Sequence, residues 1–359
     1  MGRFAVLLVW VFALLVSLPT SARAANVEWL YDVDVVVADQ TADLRATAAR
    51  QALLTVLKRL SGLSVVPTNP AVTLALESPQ RYYVEYRYRE EPDPTRGAAS
   101  TAKGLTLALR FAQPAMQRLI ADANLPLWSS NRPTTVAWIV VADGANRTVL
   151  GASDTHPLLV GLRSRSRERG LPLVVPLMDL DEQLEVTDAV VWGALSGVLE
   201  TASERYSADQ ILIGRISRGA ADNWVGEWQL WTRGDKQRFT LEASSAAAQG
   251  SAIVDRLIDP LVARYVVDSG ARQRLQVRVD GIAGVAEYGA LLKYLGSLEF
   301  IDSVGVDEVR PGVVLLSLAT RSPWDRLRDL LSLDGRFTSA EQLDTDTRHV
   351  LTWRGTTRK

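Results

Sequence analysis

Residues 134–143 read TTVAWIVVAD, an apolar run that lacks the alternation of a half-exposed strand. Such a run is typical of a strand covered on both faces. A second apolar run, LPLVVPL, follows at residues 171–177, and the segment between the two has the pattern of a helix. A strand, a helix and a second strand in this order predict a parallel pair within an α/β sheet.

The residues that follow extend the same sheet. Residues 188–208 have the pattern of one helix, and residues 209–217 that of another buried strand. The segments NWVGEWQLWTRG and KQRFTLEAS, over residues 223–244, predict a hairpin, and a long helix over residues 246–267 closes the block. Together these elements predict a mixed sheet flanked by helices.

The segments on either side predict smaller α+β units. The N-terminal one begins with an alternating strand over residues 27–37 and continues in the order β-α-α-β-β-α. The C-terminal one has the order β-α-β-β-α, which is ferredoxin-like, and residues 347–355 are a candidate final strand. Its glycines at 281, 284 and 289 do not match a nucleotide-binding loop, so we interpret the first two as a tight turn and Gly289 as a point of close helix packing.

The predicted fold class is therefore α/β and α+β in a multidomain chain. We expect a signal peptide at residues 1–24, an N-terminal α+β domain at 25–130, a central α/β domain at 131–270 and a C-terminal ferredoxin-like domain at 271–359.

The first residues predict export. Arg3 precedes an unbroken apolar run, Phe4 to Leu18, and the small-residue site Ala22-Arg23-Ala24 follows it. The run is shorter than the roughly 20 residues that a bilayer-spanning helix needs, so we expect cleavage and no membrane span afterwards. The chain has no cysteine, which excludes a lipoprotein anchor and disulfides. The expected location is the periplasm.

Composition limits the chemistry. The 40 basic and 41 acidic residues give no net attraction for nucleic acid, and export argues against it as well. The only histidines are His156 and His349, and no catalytic or cofactor-binding signature appears, so we predict a protein that is not an enzyme and has no cofactor. Asp179 and Asp181 are weak candidates for a metal site, although carboxylates there also suit a helix N-terminus.

Two groups of residues are candidate ligand-binding sites. Four arginines follow one another at alternate positions and suggest a patch for phosphate-bearing lipid or an anionic polymer; they are Arg163, Arg165, Arg167 and Arg169. The alternative is a solvated helix end, where cations complement the carbonyl pole. Trp224 and Trp228 share one face of a strand and suggest sugar stacking, whereas Trp231 points to the opposite face. The alternative for these tryptophans is packing in the core.

Several of these segments resemble a known family. The segments GLPLVVPLMDLDE, ASERYSADQILIGRI and NWVGEWQLW, together with the opening YDVDVVVADQTADLRATAARQALLTVLKRLSG, are similar to the bacterial domain-of-unknown-function family numbered 2066. The resemblance implies an exported protein of Gram-negative bacteria with no established activity, so no catalytic residues carry over from it.

These observations favour a non-enzymatic periplasmic accessory or scaffold protein of the cell envelope that acts through contacts with envelope proteins. The alternative function is a periplasmic binding module for glycan, lipid or another small ligand, with peptidoglycan among the partners. The least favoured function is a metal-assisted hydrolase built on Asp179 and Asp181.

Overall fold

The structure is a computed structural model that describes residues 27–92, 103–219, 223–232, 234–266, 272–332, 335–339 and 349–355. Over these residues the chain is a mixed α/β structure with three β-sheets and ten α-helices. The predicted signal peptide lies outside the described residues. Among the helices that are described, none is both long and apolar enough to cross a bilayer. The division into domains stays a prediction.

The N-terminal sheet is antiparallel and has the strand order β1-β3-β2. Its elements are β1 (Asp32–Val37), α1 (Ala42–Ser61), α2 (Pro70–Glu77), β2 (Tyr83–Pro92), β3 (Lys103–Phe111) and α3 (Gln113–Asp122). This order confirms the predicted β-α-α-β-β-α pattern. Strand β1 begins later than predicted, because residues 28–31 form a 3-10 turn that buries Leu30 and Tyr31.

The middle sheet has the order β5-β4-β7-β8-β9, with a short strand β6 beside the start of β4. Its elements are β4 (Thr135–Asp143), β5 (Asn146–Val149), α4 (Pro157–Arg169), β6 (Leu173–Val174), α5 (Leu180–Glu185), α6 (Asp188–Gly193), α7 (Ser196–Glu204), β7 (Gln210–Arg218), β8 (Trp224–Thr232), β9 (Asp235–Ala243) and α8 (Ala246–Tyr265). Strand β4 is parallel to β6 and β7, and the other pairs are antiparallel. The predicted mixed sheet is confirmed.

Two elements of this region differ from the prediction. Strand β6 has only two residues, because Pro172 and Pro176 flank it and proline cannot donate to a β-ladder. The single helix predicted over residues 188–208 is two helices, α6 and α7. The chain breaks between them at Ala194, whose φ of 49° is left-handed and incompatible with a continuous helix.

The C-terminal sheet has the order β11-β12-β10-β14-β13. Its elements are β10 (Gln273–Ile282), α9 (Val285–Ser297), β11 (Ile301–Arg310), β12 (Gly312–Thr320), α10 (Trp324–Ser332), β13 (Phe337–Ser339) and β14 (His349–Trp353). The first five confirm the predicted β-α-β-β-α order. The last strand departs from a simple ferredoxin-like sheet, because β14 runs parallel to β10. The additional strand β13 lies at the edge of the sheet and pairs antiparallel with β14, which lies between β13 and β10.

The glycines between β10 and α9 have different roles. Gly281 has a φ of 88°, and a Cβ there would lie 2.7 Å from the carbonyl oxygen of Trp353, so the backbone requires glycine. This confirms the predicted tight turn at Gly281. Gly284 is extended, with a φ of 178°, and no atom lies within 4 Å of a Cβ built there, so the need for glycine predicted at this position is wrong. Gly289 faces open space, and no atom lies within 4 Å of a Cβ built there. The predicted close packing at Gly289 is wrong.

Three hydrophobic cores organise the described residues. The N-terminal sheet and α1 enclose one of them. A second lies between the middle sheet and α4 and α8, and it continues into the C-terminal sheet. The third covers the opposite face of the middle sheet, where Trp138 and Trp231 pack against residues of α6 and α7. Helix α5 lies beside this third core, and its first turn carries the predicted acidic residues.

Candidate functional site

The acidic segment after β6 forms a helix-capping turn. Asp179 is the N-cap of α5, and its carboxylate accepts hydrogen bonds from the Glu182 backbone N–H at 3.1 Å and from Arg205 Nη1 at 2.9 Å. Met178 takes a left-handed φ of 53°, and its N–H donates to Glu182 Oε2 at 2.7 Å. The backbone N–H and Arg205 together lower the pKa of Asp179. This is the capping role that the sequence offered as an alternative to metal binding.

Glu182 is the centre of a hydrogen-bonded cluster. Its side chain is only 4% exposed, and Oε1 accepts from Arg205 Nη1 at 3.1 Å and from the Tyr206 hydroxyl. The Tyr206 hydroxyl in turn accepts from the backbone N–H of Leu177 at 2.9 Å. Burial and the bond to Glu182 raise the pKa of Tyr206 to about 12. We call Asp179, Glu182, Arg205 and Tyr206 the Glu182 cluster.

The Glu182 cluster leaves little room for metal chemistry. Both carboxylate oxygens of Asp179 already accept hydrogen bonds, and one of the donors is the guanidinium of Arg205, whose positive charge would repel a metal cation. Asp181 lies on the exposed first turn of α5. Within the described ranges, no group of three or more histidine, aspartate or glutamate residues is placed to hold a metal ion. The geometry therefore explains these carboxylates through helix capping.

A set of exposed leucines lies next to this cluster. Leu177, Leu180 and Leu184 are 57%, 71% and 72% exposed. Leu180 and Leu184 are one turn apart on the same side of α5, and the backbone of Leu177 is held by Tyr206. The exposed carboxylates of Asp181 and Glu185 belong to the same helix. We call the three leucines the leucine surface.

The first two of the four candidate arginines on α4 form hydrogen bonds and an ion pair with neighbouring parts of the chain. Arg163 is half-buried and donates to the carbonyl oxygens of Ala152 at 2.6 Å and Asp154 at 3.2 Å. Arg165 pairs with Asp255 on α8, with Nε and Oδ1 3.0 Å apart. Both guanidiniums are engaged within the chain, so neither is available to an external phosphate without breaking these bonds.

The other two arginines face the N-terminal sheet. Arg169 is buried, pairs with Asp255 and donates to the Gly62 carbonyl oxygen at 3.1 Å. Arg167 is exposed, and its guanidinium carbon lies 5.4 Å from the centre of the Trp29 ring. The four arginines therefore do not form the anion-binding patch that their spacing suggested. Arg165 and Arg169 join α4 to α8, and Arg167 and Arg169 contact the N-terminal segment. Arg163 holds the loop that precedes α4.

The tryptophans are divided between the two faces of the middle sheet, as predicted. Trp228 is 1% exposed in the second core, and Gly214 leaves room for it, since a Cβ on Gly214 would lie 2.5 Å from its ring. Trp231 belongs to the third core. Trp224 is half-buried against the His156 ring, 5.9 Å away. The proposed sugar-stacking pair is not assembled, because Trp228 has no accessible ring face.

The two histidines also have packing partners. His156 is the N-cap of α4, and its Nδ1 accepts from the Leu158 N–H at 3.2 Å. His349 stacks on Trp324 with ring centres 3.9 Å apart. Burial lowers the pKa of both imidazoles. His156 precedes a helix of the middle segment and His349 begins β14 of the C-terminal sheet, so the two imidazoles belong to different parts of the fold.

Sequence analysis missed a buried arginine that joins separate parts of the chain. Arg132 is 5% exposed, and it donates to four carbonyl oxygens: Ser129 at 2.7 Å, Gly170 at 2.6 Å, Arg59 at 2.7 Å and Trp128 at 2.6 Å. Its guanidinium also lies 3.9 Å from the Trp128 ring centre. Burial lowers the pKa of Arg132 to about 9. We call this arginine and its four carbonyl partners the Arg132 junction.

Neighbouring side chains extend the Arg132 junction. Arg59 is buried and donates to the Arg167 carbonyl oxygen at 2.6 Å, and burial lowers its pKa to about 10. Glu299, which precedes β11, accepts from the Ser130 N–H and the Tyr31 hydroxyl, each at 2.7 Å. All three sheet-bearing segments therefore meet here. One feature of the sequence could have indicated a buried arginine in this region. Arg59 follows Val56 by three residues, which places it on the buried side of α1.

Comparison with known proteins gives one family. A family profile described as Domain of unknown function (DUF8605) matches residues 24–129, which is less than half of the chain. This is a different family from the one numbered 2066, so the earlier assignment is wrong. Three of the four segments that suggested it, among them NWVGEWQLW, lie beyond the matched range. No curated protein matches the chain.

One solved structure is weakly similar to part of the chain. The chain is similar to selenomethionine-substituted Kluyveromyces lactis allophanate hydrolase, with 10% identity and a TM-score of 0.19. The similarity covers 70% of this chain and 62% of that one. The chain thus spans less than two thirds of the structure it matches, and a TM-score this low supports no conclusion about fold or activity.

Proposed function

We propose that this chain is a non-enzymatic periplasmic accessory protein that acts by binding another envelope protein through the leucine surface. The observation that carries the proposal is the exposure of Leu177, Leu180 and Leu184, at 57% to 72%, beside a buried hydrogen-bonded cluster. Exposed apolar side chains that are grouped together mark interaction sites more often than isolated ones do.

The backbone under these leucines is already fixed. Tyr206 holds the N–H of Leu177, and Glu182 holds the N–H of Met178 in its left-handed conformation. A surface that is ordered before binding loses less conformational entropy when the partner docks. The Glu182 cluster therefore has a physical role that fits docking, because it presents the leucines in one conformation.

The charges around the leucine surface favour a basic partner. Asp181 and Glu185 are exposed on α5, and within the described residues no ion pair engages either carboxylate. Opposite charges at the rim of an interface accelerate association and select the partner. The proposed occupant is a cationic amphipathic segment of another protein, with apolar side chains for the leucines and lysine or arginine for the carboxylates.

Photocrosslinking tests this proposal. A photoreactive residue at position 184 is expected to trap one basic envelope protein, identified by mass spectrometry, whereas the same residue at position 74 is not. Leu74 is the matched control, since it is 65% exposed on α2. With the purified partner, the double variant Leu180→Asp and Leu184→Asp is expected to weaken binding at least about tenfold. Leu74→Asp is expected to leave binding unchanged.

The proposal fails if position 184 traps nothing that position 74 does not, or if the double variant binds as well as the unchanged protein. Location is tested separately. Periplasmic extraction followed by mass spectrometry of the intact protein is expected to find a chain that begins near Ala25. A chain that stays in the cytoplasmic fraction would contradict export.

A further inference from the structure

The face of the C-terminal sheet that points away from its core carries a depression of about 240 Å³. Three neighbouring strands form it. Gln276 on β10 lies opposite Ser317 on β12, which in turn lies opposite Gly305 on β11. Their sequence neighbours Val277 and Leu316 point into the core. The depression is therefore on the open face. Its lining residues are Arg274, Gln276, Asp307, Glu308 and Ser317, together with the apolar Val277, Leu315 and Leu316.

The shape of the depression follows from residue sizes and from a β-bulge. Gly305 has no side chain, and a Cβ there would lie 2.5 Å from Ser317 Oγ, so a larger residue at this position would crowd Ser317, which lines the depression. The pairing of β11 with β12 shifts between Val306 and Glu308, which leaves Asp307 as the extra residue. Asp307 Oδ1 accepts a hydrogen bond from Ser317 Oγ at 3.2 Å. The bulge thus places a carboxylate at the β11 side of the depression.

The β10 side has the opposite charge. Arg274 is exposed, and no hydrogen bond or ion pair within the described part of the chain engages its guanidinium. Its neighbours are different: Arg272 pairs with Asp302 at 2.9 Å, and Arg278 pairs with Asp280 at 2.8 Å. An unengaged guanidinium in a depression is suited to bind a carboxylate in the bidentate manner.

We propose that this depression binds a small molecule that carries both a carboxylate and an ammonium group, namely an α-amino acid or a short peptide. The ligand carboxylate pairs with Arg274, and the ligand ammonium group pairs with Asp307. The side-chain amide of Gln276 forms a hydrogen bond with the part of the ligand between these two groups. The ligand is small because the volume is below the roughly 300 to 1,000 Å³ of typical drug-sized sites.

Calorimetric titration with dialanine, at low ionic strength, tests the proposal. Saturable binding with a millimolar or lower Kd is expected. Arg274→Gln and Asp307→Asn are each expected to weaken binding at least about tenfold. Arg272→Gln is the matched control, because this arginine is two residues away and paired outside the depression. The affinity of the Arg272→Gln variant for dialanine is expected to equal that of the unchanged protein.

Capped ligands distinguish a zwitterion site from a simple anion site. N-acetyl-dialanine lacks the ammonium group and dialanine amide lacks the carboxylate, and each is expected to bind at least about fivefold more weakly. Free alanine tests whether a single amino acid suffices. The proposal is overturned if neither alanine nor dialanine saturates the protein up to about 10 mM, if Arg274→Gln binds normally with an unchanged melting temperature, or if either capped form binds as tightly as dialanine.

Discussion

The Arg132 junction and the Glu182 cluster are both built around a buried charge, but they compensate it in different ways. Arg132 donates to four backbone carbonyl oxygens from distant parts of the chain. Glu182 accepts from Arg205, Tyr206 and a neighbouring backbone N–H, all within the middle segment. Carbonyl oxygens are immobile, whereas side chains near solvent can rearrange. The junction therefore holds segments together, and the cluster fixes one turn.

Removing the central arginine tests this difference most strongly. Arg132→Met leaves four buried carbonyl oxygens without their donor, so the free energy of unfolding is expected to fall by about 3 to 5 kcal/mol. Urea denaturation measures the change. Arg238→Met is the control, because Arg238 is exposed on β9, and it is expected to change stability by less than about 0.5 kcal/mol.

Arg132→Lys separates charge from geometry. Lysine keeps the positive charge but has a single ammonium group, which cannot reach the carbonyl oxygens of Ser129, Gly170, Arg59 and Trp128 at once. The variant is expected to be destabilised nearly as much as Arg132→Met. Full stability in the lysine variant would show that positive charge alone holds the segments together. That result would contradict the role assigned here to the four hydrogen bonds from Arg132 to carbonyl oxygens.

A milder and more local effect is expected at the Glu182 cluster. Glu182→Gln removes the charge that pairs with Arg205 and is expected to cost about 1 to 3 kcal/mol. Hydrogen exchange is expected to accelerate at residues 177–186 and to stay unchanged around Arg59 and Arg132. Glu185→Gln, on the exposed side of the same helix, is the control. Faster exchange spread over all three segments would contradict a local role.

The smallest expected effect is a loss of folding stability at high pH. The pKa of Tyr206 is raised to about 12 in the folded protein, against about 10 in the unfolded chain. The unfolded chain loses this proton first, so the stability that Tyr206 contributes is present below pH about 10 and is lost as pH rises towards about 12. Glu182→Gln is expected to bring the Tyr206 pKa closer to 10, as an ultraviolet titration would measure. An unchanged pKa would show that burial, and not the bond to Glu182, raises the pKa of Tyr206.

Sequence patterns predicted the fold well where one force dominates. The uninterrupted apolar run at residues 134–143 predicted β4, and the Gly62 stop predicted the end of α1. Predictions failed where a local restriction overrode hydrophobicity, as at Pro172 and Pro176 beside β6 and at Ala194 between α6 and α7. Hydrophobic pattern reports burial, but it does not report which backbone groups are able to pair.

The sites were predictable only in part. The acidic residues Asp179 and Asp181 after β6 suggested a helix cap, because carboxylates are favoured at a helix N-terminus, which is a local preference. The partners of Arg132 lie up to 73 residues away in sequence, so no local pattern could identify them. The depression around Arg274 depends on a β-bulge and on cross-strand neighbours, which become visible only with the pairing register. Long-range geometry accounts for what the patterns missed.

The position of β14 in the C-terminal sheet has a consequence for the order of folding. Strand β10 lies between β12 and β14, although β14 follows it by about seventy residues in the chain. Until residues 349–353 emerge and dock, one edge of β10 lacks its strand partner in this sheet. Free strand edges promote misassociation, and distant pairings form slowly. The newly made chain therefore passes through a period in which this edge of β10 is open to unintended β-pairing.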